Sequence, residues 1–328
     1  SLQLSLSKTG GRHWRTSAWY QETSPGFEAN DLGYQVRADV RALTGYLSYR
    51  EDRPGRVFRD WNASTYALGT WNLGGDNTRS TARVQADGTL KSFWYLFGGV
   101  EASARALDDR LTRGGPLAAY PGDAAVDFGV GSDSRKAVSG EASFLASRTG
   151  AGGWGRTASL FLRARPTSAL QLSVGPSLET RRSVAQYVGT VGDSVSPLFG
   201  QRYLFAGLDR TTLSLPTRVS WTFSPDLSLQ LYAQPLIDVG DYTEFKELAA
   251  PRTYRFRTFG EGGSTAVRDD ARDRYLLDPD GPDGPARQFA VGDPDFNFRS
   301  LRGNAVLRWE YRPGSTLFFV WQQRRSYQ

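Results

Sequence analysis

The sequence predicts an all-β fold: an antiparallel up-and-down transmembrane β-barrel. Three observations predict it. Apolar residues recur with period two, the alternating runs are long, and tight turns alternate with long connections. Composition agrees. Apolar residues make up 39% of the 328 residues while aromatics reach 13%. Low bulk hydrophobicity with many rings suits a wall that is apolar on one face only, whereas a disordered chain lacks the rings.

The elements follow in order. Leu2, Leu4 and Leu6 alternate with Gln3, Ser5 and Ser7, which predicts a first strand over 2–8. Strands follow over 12–22 and 33–51, where Tyr34, Val36, Ala38, Val40 and Ala42 alternate with Gln35, Arg37, Asp39 and Arg41. Further strands are predicted over 56–72, 77–87, 89–106, 123–132, 136–147, 155–165, 169–190, 201–223, 227–240, 299–312 and 315–326, about fourteen in all. Within them Ala158, Leu160, Leu162 and Ala164 share one face, as do Leu213, Leu215, Val219, Trp221 and Phe223, then Leu227, Leu229, Leu231 and Ala233. Several of these runs exceed ten residues, where globular strands usually run about 5–6 and tilted membrane strands need ~9–11. No stretch as long as a typical helix shows a clean 3.6 period, and 244–250 is read as a short helical turn.

Turn chemistry is an independent signal. Lys8–Gly11, Arg53-Pro54-Gly55, Ala86-Asp87-Gly88, Ser132–Arg135, Arg165–Ser168, Ser224-Pro225-Asp226 and Arg312-Pro313-Gly314 read as tight turns. Most other connections are longer: 23–32, 107–122, 148–154, 191–200 and a long outer loop over 241–298, with 73–76 the short exception. Short turns on one rim and long loops on the other is the build of outer-membrane barrels, the short turns being periplasmic. This topology puts residues 1 and 328 on the long-loop rim. The expectation is a segment incomplete at both ends, with strands before Ser1 and after Gln328. The absence of methionine agrees.

Other classes are narrowed by composition. With no cysteine, a disulfide framework, a thiolate zinc site and a cysteine nucleophile are excluded. The net charge is +6, from thirty-six arginines and only Lys8, Lys91, Lys136 and Lys246 as lysines. The arginines are spread along the chain with no dense basic stripe, so no nucleic-acid partner is expected. They suit a wet interior or anionic headgroups. No apolar run approaches the ~20 residues of a membrane helix, so a membrane reading requires strands.

The chain also resembles a bacterial family in which an N-terminal carbohydrate-binding family 9-like domain precedes a large outer-membrane barrel, a domain of unknown function with a TonB-receptor-like barrel segment. The residues that carry the resemblance are Ser24–Gly33, Asp108–Pro116, Ser132–Lys136, Ser224–Pro235, Asn297–Asn304 and Trp309–Ser315. The resemblance implies a bacterial outer-membrane location and more barrel on either side of this segment. It implies no reaction.

Candidate sites are few. His13, the single histidine, stands beside Trp14 near a tight turn, and a structural role is the plainer reading than a catalytic one. Asp278, Asp280 and Asp283, with Gly281 and Gly284, have the alternate-position oxygens of a calcium loop. They lack the bidentate acid of an EF-hand, and Pro279 and Pro282 stiffen the segment, so a solvated loop is the alternative. Asp108/Asp109, Glu244/Glu247 and Asp269/Asp270 are read as surface charge. Trp14, Trp19, Tyr46, Tyr49, Trp61, Trp94, Tyr95, Trp309, Tyr311, Phe319 and Trp321 are read as interfacial girdles, with sugar stacking open to any that face the lumen. The expected function is a pore, transporter or surface receptor in contact with outer-membrane lipid, with carbohydrate as a candidate ligand. A soluble β-rich carbohydrate-binding protein is the alternative, and an outer-membrane hydrolase a third. No catalytic residue is assigned.

Overall fold

The computed structural model describes residues 1–28, 30, 35 and 37–327. The strands are β1 (Leu2–Lys8), β2 (Trp14–Thr23), β3 (Val40–Glu51), β4 (Phe58–Trp71), β5 (Asn77–Leu90), β6 (Tyr95–Ser103), β7 (Ala106–Asp108), β8 (Ala118–Tyr120), β9 (Asp123–Gly131), β10 (Val138–Thr149) and β11 (Trp154–Thr167). They continue as β12 (Leu170–Val174), β13 (Ser177–Gly192), β14 (Gln201–Ser214), β15 (Thr217–Ser224), β16 (Leu227–Leu248), β17 (Phe256–Thr258), β18 (Thr265–Asp269), β19 (Arg274–Asp278), β20 (Phe289–Gly292), β21 (Phe296–Arg312) and β22 (Ser315–Tyr327). Each of the expected strands overlaps at least one of these. The start of the 33–51 run, including Tyr34 and Val36, lies outside the described residues, as do Ala29 and Asp31–Gly33 of the family landmark.

Seventeen strands form one antiparallel sheet. It meanders from β1 through β6 to β9, β10 and β11, then through a divided section to β16, β21 and β22. In the divided section β11 pairs with both β12 and β13, which continue to β15 and β14 respectively, and both of these reach β16. The expected single strands 169–190 and 201–223 are therefore each interrupted, at Gly175-Pro176 and Leu215-Pro216. Proline has no N–H for the ladder. The carbonyls still bond across the breaks: Leu160 N–H donates to Pro176 O at 2.9 Å and Gly175 N–H to Pro216 O at 2.9 Å.

Three further expectations are corrected. Ala86-Asp87-Gly88 is not a turn but part of β5, because Asp87 lies opposite Asn62 on one side and Phe97 on the other. The turn falls at Lys91–Trp94, with Phe93 in a left-handed conformation (φ 65). Its ring is clasped by Arg135 at 3.2 Å and Arg59 at 4.1 Å. The segment 244–250 is not helical, since β16 runs to Leu248. The stretch 241–298 begins inside β16 and holds β17, a 3-10 turn (Asp270–Arg272) and the three-stranded sheet of β18, β19 and β20. Between β6 and β9, β7 and β8 form a two-stranded sheet.

The main sheet curls. Arg252, four residues past β16, pairs with Asp76 just before β5 at 2.6 Å. Seven strand steps separate β5 from β16, about 34 Å on a flat sheet. Four extended residues reach at most about 14 Å. Only a sheet bent back on itself brings them together. The connection between β6 and β9 joins the same junction, with Arg252 N–H donating to Leu117 O at 2.6 Å and Ala119 N–H to Thr253 O at 3.0 Å.

The buried apolar core sits in this head of connections. One cluster joins Ala118, Ala185, Leu198, Tyr203, Phe205 and Leu248, and a second joins Leu204, Ala206, Phe245, Phe259 and Leu277. Elsewhere in the sheet many large apolar side chains are exposed.

Candidate functional site

Residues opposite one another in an antiparallel ladder share a face, so register sorts the whole sheet into two. One face takes Leu4, Tyr20, Leu43 and Gly69, and in the row beside it Thr65, Val84, Val100, Val126 and Ala146. It continues through Leu178, Leu213 and Ile237, and through Leu229, Leu307 and Phe319. This face is apolar and open: Leu6 is 79% exposed and Val84 63%. Trp14, Tyr49 and Trp61 cluster on it at the short-turn rim, with ring centroids 5.1 Å apart. Trp71 and Trp154 stand at the other rim. The expected aromatic set divides between faces, with Trp19, Tyr46 and Tyr95 opposite the apolar one.

The second face is polar and laced with charge. Tyr66 Oη donates to Glu101 at 2.6 Å, and Arg79 lies 3.9 Å from the same carboxylate. Arg83 reaches across β6 to Asp127 at 2.6 Å. Gly99 makes that crossing possible, since a Cβ there would fall 2.6 Å from Arg83 Nη2. Arg210 forks onto Asp238 at 2.7 and 2.6 Å, and Thr212 Oγ1 donates to it at 2.9 Å.

The charges are not evenly mixed. On β4–β10 this face carries Asp60, Asp87, Glu101, Asp123, Asp127 and Glu141 against Arg79 and Arg83. On β11–β22 it carries Arg163, Arg181, Arg210, Arg218, Arg302, Arg308 and Arg324 against Glu179, Asp238 and Glu310. One part of this face is mostly acidic and the next mostly basic. One row of the basic wall runs Arg163, Ser173, Arg218, Tyr232, Asn304, Gln322. In it Arg218 lies 5.1 Å from the Tyr232 ring, while Arg163 Nε and Asn304 Oδ1 are buried without a hydrogen-bond partner. Free donors and acceptors on a charged face can hold polar solutes. Alternation predicts the polar face; the segregation of charge depends on strand order and is invisible in the chain.

The head also holds a buried ion cluster. Arg202 is buried; its Nη1 donates to both Glu247 oxygens at 2.9 and 2.7 Å, and its Nε donates to Asp193 at 2.5 Å. Burial depresses the Arg202 guanidinium, but the two carboxylates outweigh it and hold its pKa above the usual value. Burial likewise pushes the Asp193 carboxyl up, and its bonds from Arg202 and the Val195 N–H bring it below the usual range. The surface reading of Glu247 is thus corrected: the carboxylate is buried as the partner of Arg202. Asp109 meets Arg37 at 2.5 Å, and Asp108 accepts from the N–H groups of Arg110 and Leu111. Asp269 binds Arg274 at 2.9 Å, and Asp270 faces Arg268, which also bonds Asp293.

Asp278 is the last residue of β19, and Asp280 and Asp283 lie in the connection from β19 to β20. Asp278 is buried and accepts from Gly281 N–H at 2.8 Å; Asp280 accepts from Ala286 N–H at 3.1 Å; Asp283 is exposed. Among the described residues no three His, Asp or Glu side chains gather as a metal site. His13 stacks on Tyr49 with centroids 5.0 Å apart, its Nδ1 2.9 Å from Arg50 O and 3.7 Å from Glu51.

No helix of the described residues is long and apolar enough to cross a membrane, which leaves strands untouched by that test. No curated protein and no solved structure matches the chain. The model of the family described as a domain of unknown function, DUF5916, matches residues 1–328, and the chain belongs to that family.

Proposed function

We propose that this chain forms wall of a bacterial outer-membrane β-barrel, acting as a pore, transporter or surface receptor for polar solutes, carbohydrate-related ligands included. The observation that carries this reading is the register-wide division into an exposed apolar face and a charged one. A soluble sandwich buries its apolar stripes between two sheets; here Leu2, Leu4 and Leu6 are at least half exposed. Dimensions also support it. Trp61 and Trp71 bracket the apolar run of β4 ten residues apart. That is about 34 Å of strand, or roughly 24–28 Å of height at the usual 35–45° tilt, against an apolar band of about 25 Å.

A lumen with opposed acidic and basic walls sets a transverse field that orients dipolar solutes and slows ions of both signs. The test uses the full-length protein. It is expected to fractionate with the outer membrane and to give conductance steps, or ligand-dependent binding, in planar bilayers. Neutralising the basic row with Arg163→Gln and Arg218→Gln is expected to lower the anion-to-cation permeability ratio. Recovery in the cytosolic fraction overturns the reading.

A further inference from the structure

The apolar face is interrupted by charge at the long-connection rim of β10 and β11. Arg148 lies opposite Trp154 and Arg156 opposite Ala146, so both share the face of Val126. Both arginines are exposed. Arg156 sits 5.2 Å from the Trp154 ring, and among the described residues neither guanidinium has a carboxylate partner. The next arginine along the rim differs: Arg182 is held by Asp209 at 3.1 Å and Glu244 at 3.7 Å. Arg148, Trp154 and Arg156 line a groove of about 490 Å³ whose floor is Val100, Val126 and Ala146.

A free cation on a sheet face is stable where water or an anion reaches it. Here two stand at the mouth of an apolar groove, beside a tryptophan of the kind that sits at headgroup level. Their common ligand must be anionic at one end and apolar below it. The planar guanidinium fork matches phosphate oxygens bidentately. We infer that Arg148 and Arg156 bind the phosphate headgroup of an acyl lipid whose chain lies in the groove over Val100, Val126 and Ala146. This inference rests on the membrane-barrel reading.

The full-length protein is reconstituted in phosphatidylcholine vesicles doped with phosphatidic acid, and lipid retained after extraction is read by native mass spectrometry. Phosphatidic acid is expected to be retained over phosphatidylcholine. At about fivefold per basic residue near an anionic lipid surface, Arg148→Gln with Arg156→Gln is expected to cut the preference roughly 25-fold. Arg218→Gln, on the opposite face, is expected to keep it. A double variant with wild-type preference, or an equal loss in Arg218→Gln, overturns the site. Displacement of the lipid by matched inorganic phosphate overturns the acyl part, leaving a free-anion site. Failure of the protein to insert into the vesicles overturns the barrel reading and the site with it; insertion without preference overturns the site alone.

Discussion

Glu247→Gln is expected to loosen the head while leaving the sheet intact. Arg202 and Glu247 have side chains 6% and 8% exposed and share two hydrogen bonds. Removing one charge of such a pair costs about 3–5 kcal/mol, because the other charge stays buried. Asp193 still contacts Arg202 at 2.5 Å, which argues for the low end. A cost of about 3 kcal/mol is roughly a 150-fold larger local opening constant, at about 1.4 kcal/mol per decade. Hydrogen exchange reads it directly in the full-length protein. Amides of Tyr203–Ala206 and Phe245–Glu247 are expected to exchange about a hundredfold faster, while those of β3–β5 keep their wild-type rates. Arg202→Met with Asp193→Leu and Glu247→Leu supplies the contrast, since replacing a buried ion cluster by apolar groups is often neutral or stabilising. Wild-type exchange in Glu247→Gln would refute the reasoning, and so would uniform acceleration across the sheet.

Other outcomes follow from the two faces and the turns. Val84→Arg, on the exposed apolar face, is expected to cost about 2–4 kcal/mol of folding stability in lipid vesicles; a cost within ~0.5 kcal/mol, ordinary for a water-facing surface, would count against a bilayer-facing side. Gly99→Val places side-chain atoms where Arg83 crosses to Asp127, with an expected loss of about 1–3 kcal/mol by overpacking, measured by urea unfolding in detergent. Hydrogen bonds from Arg135 hold the Asp133 carboxyl down at about 2, from an ordinary value of 3.8. Its folded pKa is depressed, so its contribution is full above pH 3.8 and is lost as pH falls through about 2. A carboxyl-resolved NMR titration checks this; a midpoint near the ordinary value would contradict the ion pair.

Much of the sheet was legible because period-two alternation is a local property. Leu2–Lys8 and 315–326 were readable as strands from neighbouring residues alone. The errors fall where distant partners override local chemistry. Asp87-Gly88 has the composition of a tight turn, yet pairing to β4 and β6 on both sides carries the strand through it. The continuous alternation of 169–190 conceals the break at Gly175-Pro176, because side-chain periodicity does not register a missing N–H. The 241–298 stretch reads as loop because its strands are short and its apolar residues have no single period. Phe245, Phe259 and Leu277 find one another only when the chain folds.

The sequence by itself determined that this is an antiparallel all-β chain with one apolar and one polar face, because a strand's two faces are written in adjacent residues. Only strand order, register and packing set how the sheet curls, how charge is segregated along its polar face, and that Arg202, Asp193 and Glu247 share a buried site. Most of those relations join residues tens of positions apart, and only strand order and register bring them within Coulombic reach.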